Sequence, residues 1–297
     1  MARLTWTPIF LLALFAPVAH GQEVVHQDEL LPPDRPEAWA LQRSAATTLM
    51  TAFGEAPVLD RWHWLLSIDG GNIPRLSTEE RRVGFNGEKI EDLNKSPVFA
   101  RLRASIGLPG GWVGELGYTP PVGINGAKAH DLFDLAIGHR LVTHGNLTLS
   151  MRAFGQHGSV QGDITCPASL VGISDLELNP YGCQAPSNDT VTLNDYGIDL
   201  TAGLNHGPWH WHATGGVVRT ELQAQVDALT FDVRDRSRLV ANGTLHYGAI
   251  GVRRDIGRHW SLGTEVLYVP LHVRRGDGAE RTEDSFTSLR LQVRYMH

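Results

Sequence analysis

A two-residue alternation of apolar and polar side chains recurs along most of this 297-residue chain, and it leaves few folds open. Trp62, Trp64, Leu66 and Ile68 share one face against His63, Leu65 and Ser67, and the same period returns over 98–106, 112–118, 133–137, 147–153, 196–204, 209–213, 244–249, 260–268 and 289–295. Successive side chains of a strand point to opposite faces, so each stretch reads as a strand with one apolar face. The pattern predicts ten strands, within a range of 8–12, because 217–243 slips phase as a bulge would make it do. In the stretch 244–249 the apolar face is Leu245, Tyr247 and Ala249, set against Thr244, His246 and Gly248.

The connections sort by length. Tight glycine turns stand at 109–111, 144–145, 206–207 and 255–257, and longer polar segments at 70–96, 119–130, 160–193, 227–237 and 273–285. Short turns at one end and long loops at the other suit antiparallel hairpins of a transmembrane barrel. A soluble barrel would turn its apolar face inward. Two features favour the inverted arrangement. Trp62, Trp64, Trp112, Tyr118, Trp209, Trp211, Trp260, Tyr268 and Tyr295 stand near strand ends on the apolar face, as interface girdles do. The opposite face carries mixed charge at Arg101, Arg103, Glu115, Asp134, Arg152, Asp199, Glu265, Arg290 and Arg294, which suits a narrow polar lumen.

Ahead of the strands, Arg3, the apolar run 9–18 and the small residues Ala19 and Gly21 describe an export signal over 1–21, cleaved after Gly21. No later window holds the ~18 uninterrupted apolar residues of a membrane helix. Residues 22–60 then read as a periplasmic or lumen-docked segment with one helix over 36–53, opened by Pro36 and stopped by Gly54. The barrel occupies 61–297. Export exposes the two cysteines to an oxidising compartment, so Cys166 and Cys183 are expected to close a loop disulfide. Apolar residues at 42% and charged residues at 20% exclude a disordered tail, and a formal charge of −6 argues against a nucleic-acid partner.

The export signal, the hairpin layout and the closing Leu289-Arg290-Leu291-Gln292-Val293-Arg294-Tyr295 together resemble the Gram-negative outer-membrane β-barrel proteins. That resemblance implies an all-β, up-and-down barrel in the bacterial outer membrane, in contact with its lipid and inserted by the barrel-assembly machinery. Members usually end on an aromatic residue; here Met296 and His297 follow Tyr295.

The chemistry is sparse. His259 and Ser261 share a face and resemble the His-x-Ser pair of lipid A deacylases, but they sit at a tight-turn end, facing the lumen. His210 and His212 also share a face, without an evident third ligand, and read as hydrogen-bonding groups. No catalytic residue, metal or cofactor is expected. The leading expectation is a non-enzymatic narrow pore or conduit for small solutes or lipid-like molecules, with the nine lumen charges lining it and the helix as its gate. The alternatives are a sealed structural or surface-binding barrel, its charges mutually neutralised and its disulfide loop meeting a partner, and an outer-membrane lipid hydrolase.

Overall fold

The structure, a computed structural model, describes residues 22–24, 28–276 and 278–296. The expected export signal over 1–21 lies outside the described residues. Ten strands form one closed antiparallel barrel. They are β1 (Trp64–Asn72), β2 (Val98–Gly107), β3 (Trp112–Thr119), β4 (Lys128–His144) and β5 (Leu147–Gly162), then β6 (Asp189–His206), β7 (Trp209–Gln225), β8 (Arg238–Ile256), β9 (Trp260–Val269) and β10 (Phe286–Met296). Each strand pairs with its neighbours in sequence, and β10 pairs with β1 from Leu65↔Met296 to Gly71↔Arg290, which closes the ring.

The strands fall into two lengths. β1–β3, β9 and β10 have 8–11 residues, enough to cross a bilayer at a tilt. β4–β8 have 16–19 residues and rise beyond it as a wall on one side. At the tight-turn end Gly145, Gly207 and Gly257 adopt φ of 58°, 57° and 69°, a left-handed conformation that glycine reaches without strain.

Outside, the apolar stripe is bare: Ile68, Leu135, Ile198, Trp211, Ile250, Leu262 and Leu291 are all exposed. Inside, Arg101, Asp134, Arg152, Asp199 and Glu265 are buried. A polar core within an apolar exterior is stable only where hydrocarbon is the solvent. Trp64 and Trp260 meet Tyr295 at ring distances of 6.0 and 5.0 Å, building the girdle of the tight-turn end. Toward the other end Tyr118 stacks on Phe133 at 4.9 Å.

Three expectations require correction. In β8, Leu245, Tyr247 and Ala249 point inward and His246 outward, the reverse of the lipid-facing assignment. The phase slip at 217–243 is not a bulge, because β7 and β8 stay in register from Trp209↔Arg254 to Gln225↔Arg238. The irregularities lie in β4 instead, between His130 and Phe133 and between Arg140 and Val142. The cause of the slip is that the lumen changes character along its axis. Val191, Leu193, Val218, Leu222, Leu245 and Tyr247 make its upper half apolar, because a helix fills it.

That helix, α1 (Pro36–Thr48), is the third correction: it stops five residues short of the expected 53. Ala38, Trp39, Leu41, Ala45 and Ala46 are buried against the barrel wall, and Ala40, Ser44 and Thr47 form a less buried face. It sits at the long-loop mouth, where Trp39 Nε1 donates to Asp284 O at 2.9 Å and Arg43 Nη2 to Pro74 O at 2.9 Å. The preceding Asp28–Leu30 runs parallel to Arg238–Val240 on the same mouth. Residues 49–60 then descend through the lumen. Ala56 N donates to Ser150 Oγ at 3.0 Å, Arg140 Nη2 donates to Ala56 O at 2.8 Å, and Trp62 N reaches Gly107 O at 2.8 Å beside the tight turns. Residues 28–48 thus occupy the long-loop mouth and 49–60 the lumen, the lumen-docked of the two placements expected for this segment.

Cys166 and Cys183 form a disulfide across the loop between β5 and β6. Both are buried there with Ala228, and Asn179 bridges the loop from Cys183 N (2.8 Å) to Ile173 O (3.0 Å). Closing a loop of this size stabilises by about 3 kcal/mol, felt locally. The paired change Cys166→Ser/Cys183→Ser is therefore expected to make the loop protease-sensitive and to leave the heat-shifted gel mobility of the barrel unchanged.

Candidate functional site

The lower lumen is built from arginines. β2 supplies Arg101 and Arg103, β5 supplies Arg152 and β10 supplies Arg290 and Arg294, each on the inward parity of its strand. Arg101 Nε lies 2.7 Å from Asp134 Oδ2. Arg103 reaches Asp69 at 2.5 Å and Glu115 at 3.2 Å. Arg152 reaches Asp199 at 2.7 Å and Glu115 at 3.6 Å, and the Tyr247 hydroxyl donates to the same Asp199 oxygen at 2.7 Å. Glu265 accepts from Thr51 Oγ1 at 2.5 Å and contacts His212 Nε2 at 3.2 Å.

The remaining donors hold the N-terminal segment. Arg290 donates to the carbonyls of Leu49 (2.5 Å), Ala46 (3.1 Å) and Thr47 (3.2 Å). Arg101 takes the carbonyl of Thr48, and Arg152 those of Met50 (2.5 Å) and Thr51 (3.2 Å). Six consecutive carbonyls, 46–51, thus face three guanidinium groups. A helix end leaves four carbonyls unsatisfied and carries partial negative charge, so cations there both cap it and end it. This explains why α1 stops at Thr48 although Met50 and Ala52 would suit a helix. The free volume left among Ala52, Gly54, Glu55, Arg103, Arg152 and Arg294 is about 20 Å³, room for a water and nothing larger.

All nine charges singled out from sequence lie on this inner face, and the structure brings most of them into pairs with one another or with the segment. Asp69, Gln156 and Tyr247 belong to the same network and were missed. Asp69 follows the inward parity of Ser67 and was open to detection; Tyr247 was assigned to lipid by the inverted phase of β8. His210 accepts or donates at Asn205 (2.6 Å) and Asp255 (2.8 Å), so both imidazoles of the His210–His212 pair are engaged within the barrel. His259 Nδ1 contacts Met296 O at 2.9 Å, and no hydrogen bond joins it to Ser261 among the described residues.

At the long-loop mouth the wall of β4–β7 stands away from α1 and leaves a cleft of two lobes. They meet at Ser44, Leu93, Ile164 and Val191. One lobe, about 420 Å³, runs past Leu41, Val83, Phe85 and Leu239; the other, about 330 Å³, is walled by Phe99, Leu132, Val160 and Leu193. Volumes of this order take a small organic molecule. The floor of the first lobe holds Lys89, whose ammonium lies 2.9 Å from Glu91. Burial pushes the Glu91 carboxyl up to about 7, although Lys89 pulls it down.

No protein-family model matches the chain. Among solved structures it is similar to the outer-membrane protease OmpT from Escherichia coli, at 10% identity over 79% of this chain and 95% of that one, with a TM-score of 0.36. It is also similar to the toluene transporter TodX from Pseudomonas putida, at 10% identity over 86% and 97%, with a TM-score of 0.35. A third is the translocator domain of the autotransporter NalP from Neisseria meningitidis, at 11% identity over 81% and 90%, with a TM-score of 0.35.

Proposed function

We propose that this chain is an outer-membrane conduit for small hydrophobic molecules, loaded at the mouth cleft and held shut by its own N-terminal segment. The observation that carries the reading is the pairing of an apolar two-lobed cleft with a lower lumen occupied by residues 49–57, where the cavity beside Gly54 and Arg152 measures about 20 Å³. An aqueous pore would need a continuous polar channel, and residues 49–57 fill the place where one would run. A hydrophobic solute gains by leaving water for the cleft, at roughly 25 cal/mol per Å² of apolar surface buried. Its passage then requires the segment to shift.

The second reading, a sealed binding barrel, is favoured by the same bonds that hold the segment. One variant separates the two. Ala56 N and Ser150 Oγ lie 3.0 Å apart, so Ala56→Cys/Ser150→Cys places two thiols across the segment and the wall. The oxidised lock is expected to abolish uptake of N-phenyl-1-naphthylamine into proteoliposomes, to leave its binding intact, and to release uptake on reduction. Uptake that is unchanged by the lock would support the sealed reading. Ser44→Trp, which fills the junction of the lobes, is expected to abolish binding itself; undiminished binding by the folded variant would remove the cleft from the account.

A further inference from the structure

The first lobe of the cleft is not charge-neutral. It is bordered by Glu29, Glu37, Glu91, Asp189 and Asp235 against Arg35, Lys89 and Arg238. Three of the carboxylates are deeply buried, Glu37 at 7%, Glu91 at 9% and Asp189 at 4% exposure, and the buried cation they face is Lys89, at 4%. Lys89 has no donor to spare. Its ammonium gives two bonds to Glu91, both at 2.9 Å, and a third to Thr165 O at 2.7 Å. The two arginines stand at the rim, Arg35 paired with Glu29 and Glu37 at 2.5 and 3.0 Å, and Arg238 paired through Nη1 with Asp28 at 2.8 Å, its Nε without a partner among the described residues.

Glu37 and Asp189 are hydrogen-bonded as well, Glu37 from Arg35 and Asn86 N, and Asp189 from Thr165 N, Ser187 Oγ and Asp227 N. Three buried carboxylates against one buried ammonium nevertheless leave the lobe net negative, and an anionic head group entering it would meet that excess. A cationic head group would supply the charge that the lobe lacks, where low polarity makes the attraction strong. The walls beyond Glu91 are apolar through Leu41, Leu93 and Val191 into the second lobe, which suits a hydrocarbon body.

We infer that the cleft selects hydrophobic amines, seating the ammonium among Glu37, Glu91 and Asp189 and the hydrocarbon body along α1 toward the second lobe. The inference rests on the reading of the cleft as a ligand site and adds the chemical class of the ligand. A fatty-acid anion of the same length would face the three buried carboxylates of the first lobe, and Lys95 and Lys128 line only the second. Glu91 is faced by Lys89 two residues before it in the 73–97 loop, by Glu37 from α1 and by Asp189 from β6, and the two carboxylates oppose its ionisation. Attraction for an amine is accordingly expected to grow as pH rises through about 7 and Glu91 ionises.

The test uses the whole folded barrel and three probes of equal length: octylamine, octanol and octanoate. Isothermal titration at pH 8 is expected to give octylamine at least tenfold tighter binding than octanol, with octanoate weakest. Octylamine affinity is expected to fall severalfold at pH 6 while octanol affinity stays level, a measurement that needs no variant. Glu91→Gln is expected to bring octylamine down to the affinity of octanol. Equal affinities for octylamine and octanol in the native protein, or tighter octanoate, would overturn the amine selectivity while leaving the cleft as a ligand site. Binding of none of the three probes would overturn the conduit reading beneath it.

Discussion

Removal of residues 28–57 is expected to convert an electrically silent barrel into one with discrete single-channel openings. The lower half of the intact lumen is occupied by backbone whose carbonyls are held by Arg101, Arg152 and Arg290. Without the segment, water takes the carbonyls' place and the inner charges line an open bore. The selectivity follows from which cations are paired. Arg101, Arg103 and Arg152 keep carboxylate partners on the wall, Asp134, Asp69 and Asp199. Arg290 bonds carbonyls of the removed segment, and neither it nor Arg294 has a carboxylate within ion-pair distance among the described residues. The opened bore should therefore prefer anions. Arg290→Ala on the deletion background should reduce that preference. Folding of each variant is checked by its heat-shifted gel mobility, and reversal potentials in a salt gradient report the selectivity. Openings of the same size in the full-length protein would show that the segment does not occlude the lumen.

What the sequence could reveal here was decided by the solvent on each side of the wall. Lipid imposes one requirement on every strand. For that reason the alternation in residues such as Trp112, Gly114, Leu116 and Tyr118 marks β3 without reference to anything else. The charge on the inner parity was legible for the same reason. The lumen imposes no such uniform rule, because its contents vary with height. Where α1 fills it, Leu245, Tyr247 and Ala249 turn inward, and an apolar inner face on β8 imitates an outer one. The course of 49–60 was not legible, because its helical period runs on only to 53 and its conformation is set by guanidinium groups that lie roughly 50 to 240 residues away in the chain. The cleft was equally hidden. Its walls come from α1, the 73–97 loop and the wall strands, and each contributes residues unremarkable in their own stretch.

Arg152 is where the barrel and its stopper share a single side chain, and Arg152→Met should be among the most damaging single substitutions in the lumen. The guanidinium gives Nε and Nη2 to Asp199 at 3.1 and 2.7 Å, Nη2 and Nη1 to Met50 O and Thr51 O at 2.5 and 3.2 Å, and lies over the Phe154 ring at 4.8 Å. Methionine replaces most of the volume and none of the charge. Asp199 would be left buried with the Tyr247 hydroxyl as its remaining donor, and Asp199 Oδ1 already lacks a partner. Breaking a buried pair from one side costs about 3–5 kcal/mol, chiefly through the charge left behind. The expected result is a urea midpoint for loss of the heat-shifted band that drops clearly below wild type in lipid vesicles. The companion variant Arg152→Met/Asp199→Asn removes the stranded charge and should recover a large part of the loss, since coupled residues are not additive. Arg254→Met serves as the contrast: that arginine lies on the outer face over Trp209 at 5.0 Å, and its loss should cost about 1 kcal/mol or less. The double variant should remain leaky even where its stability returns, because the carbonyls of Met50 and Thr51 have still lost their donor. Recovery of both stability and silence would place the hold on the segment elsewhere, in Arg101 and Arg290 alone.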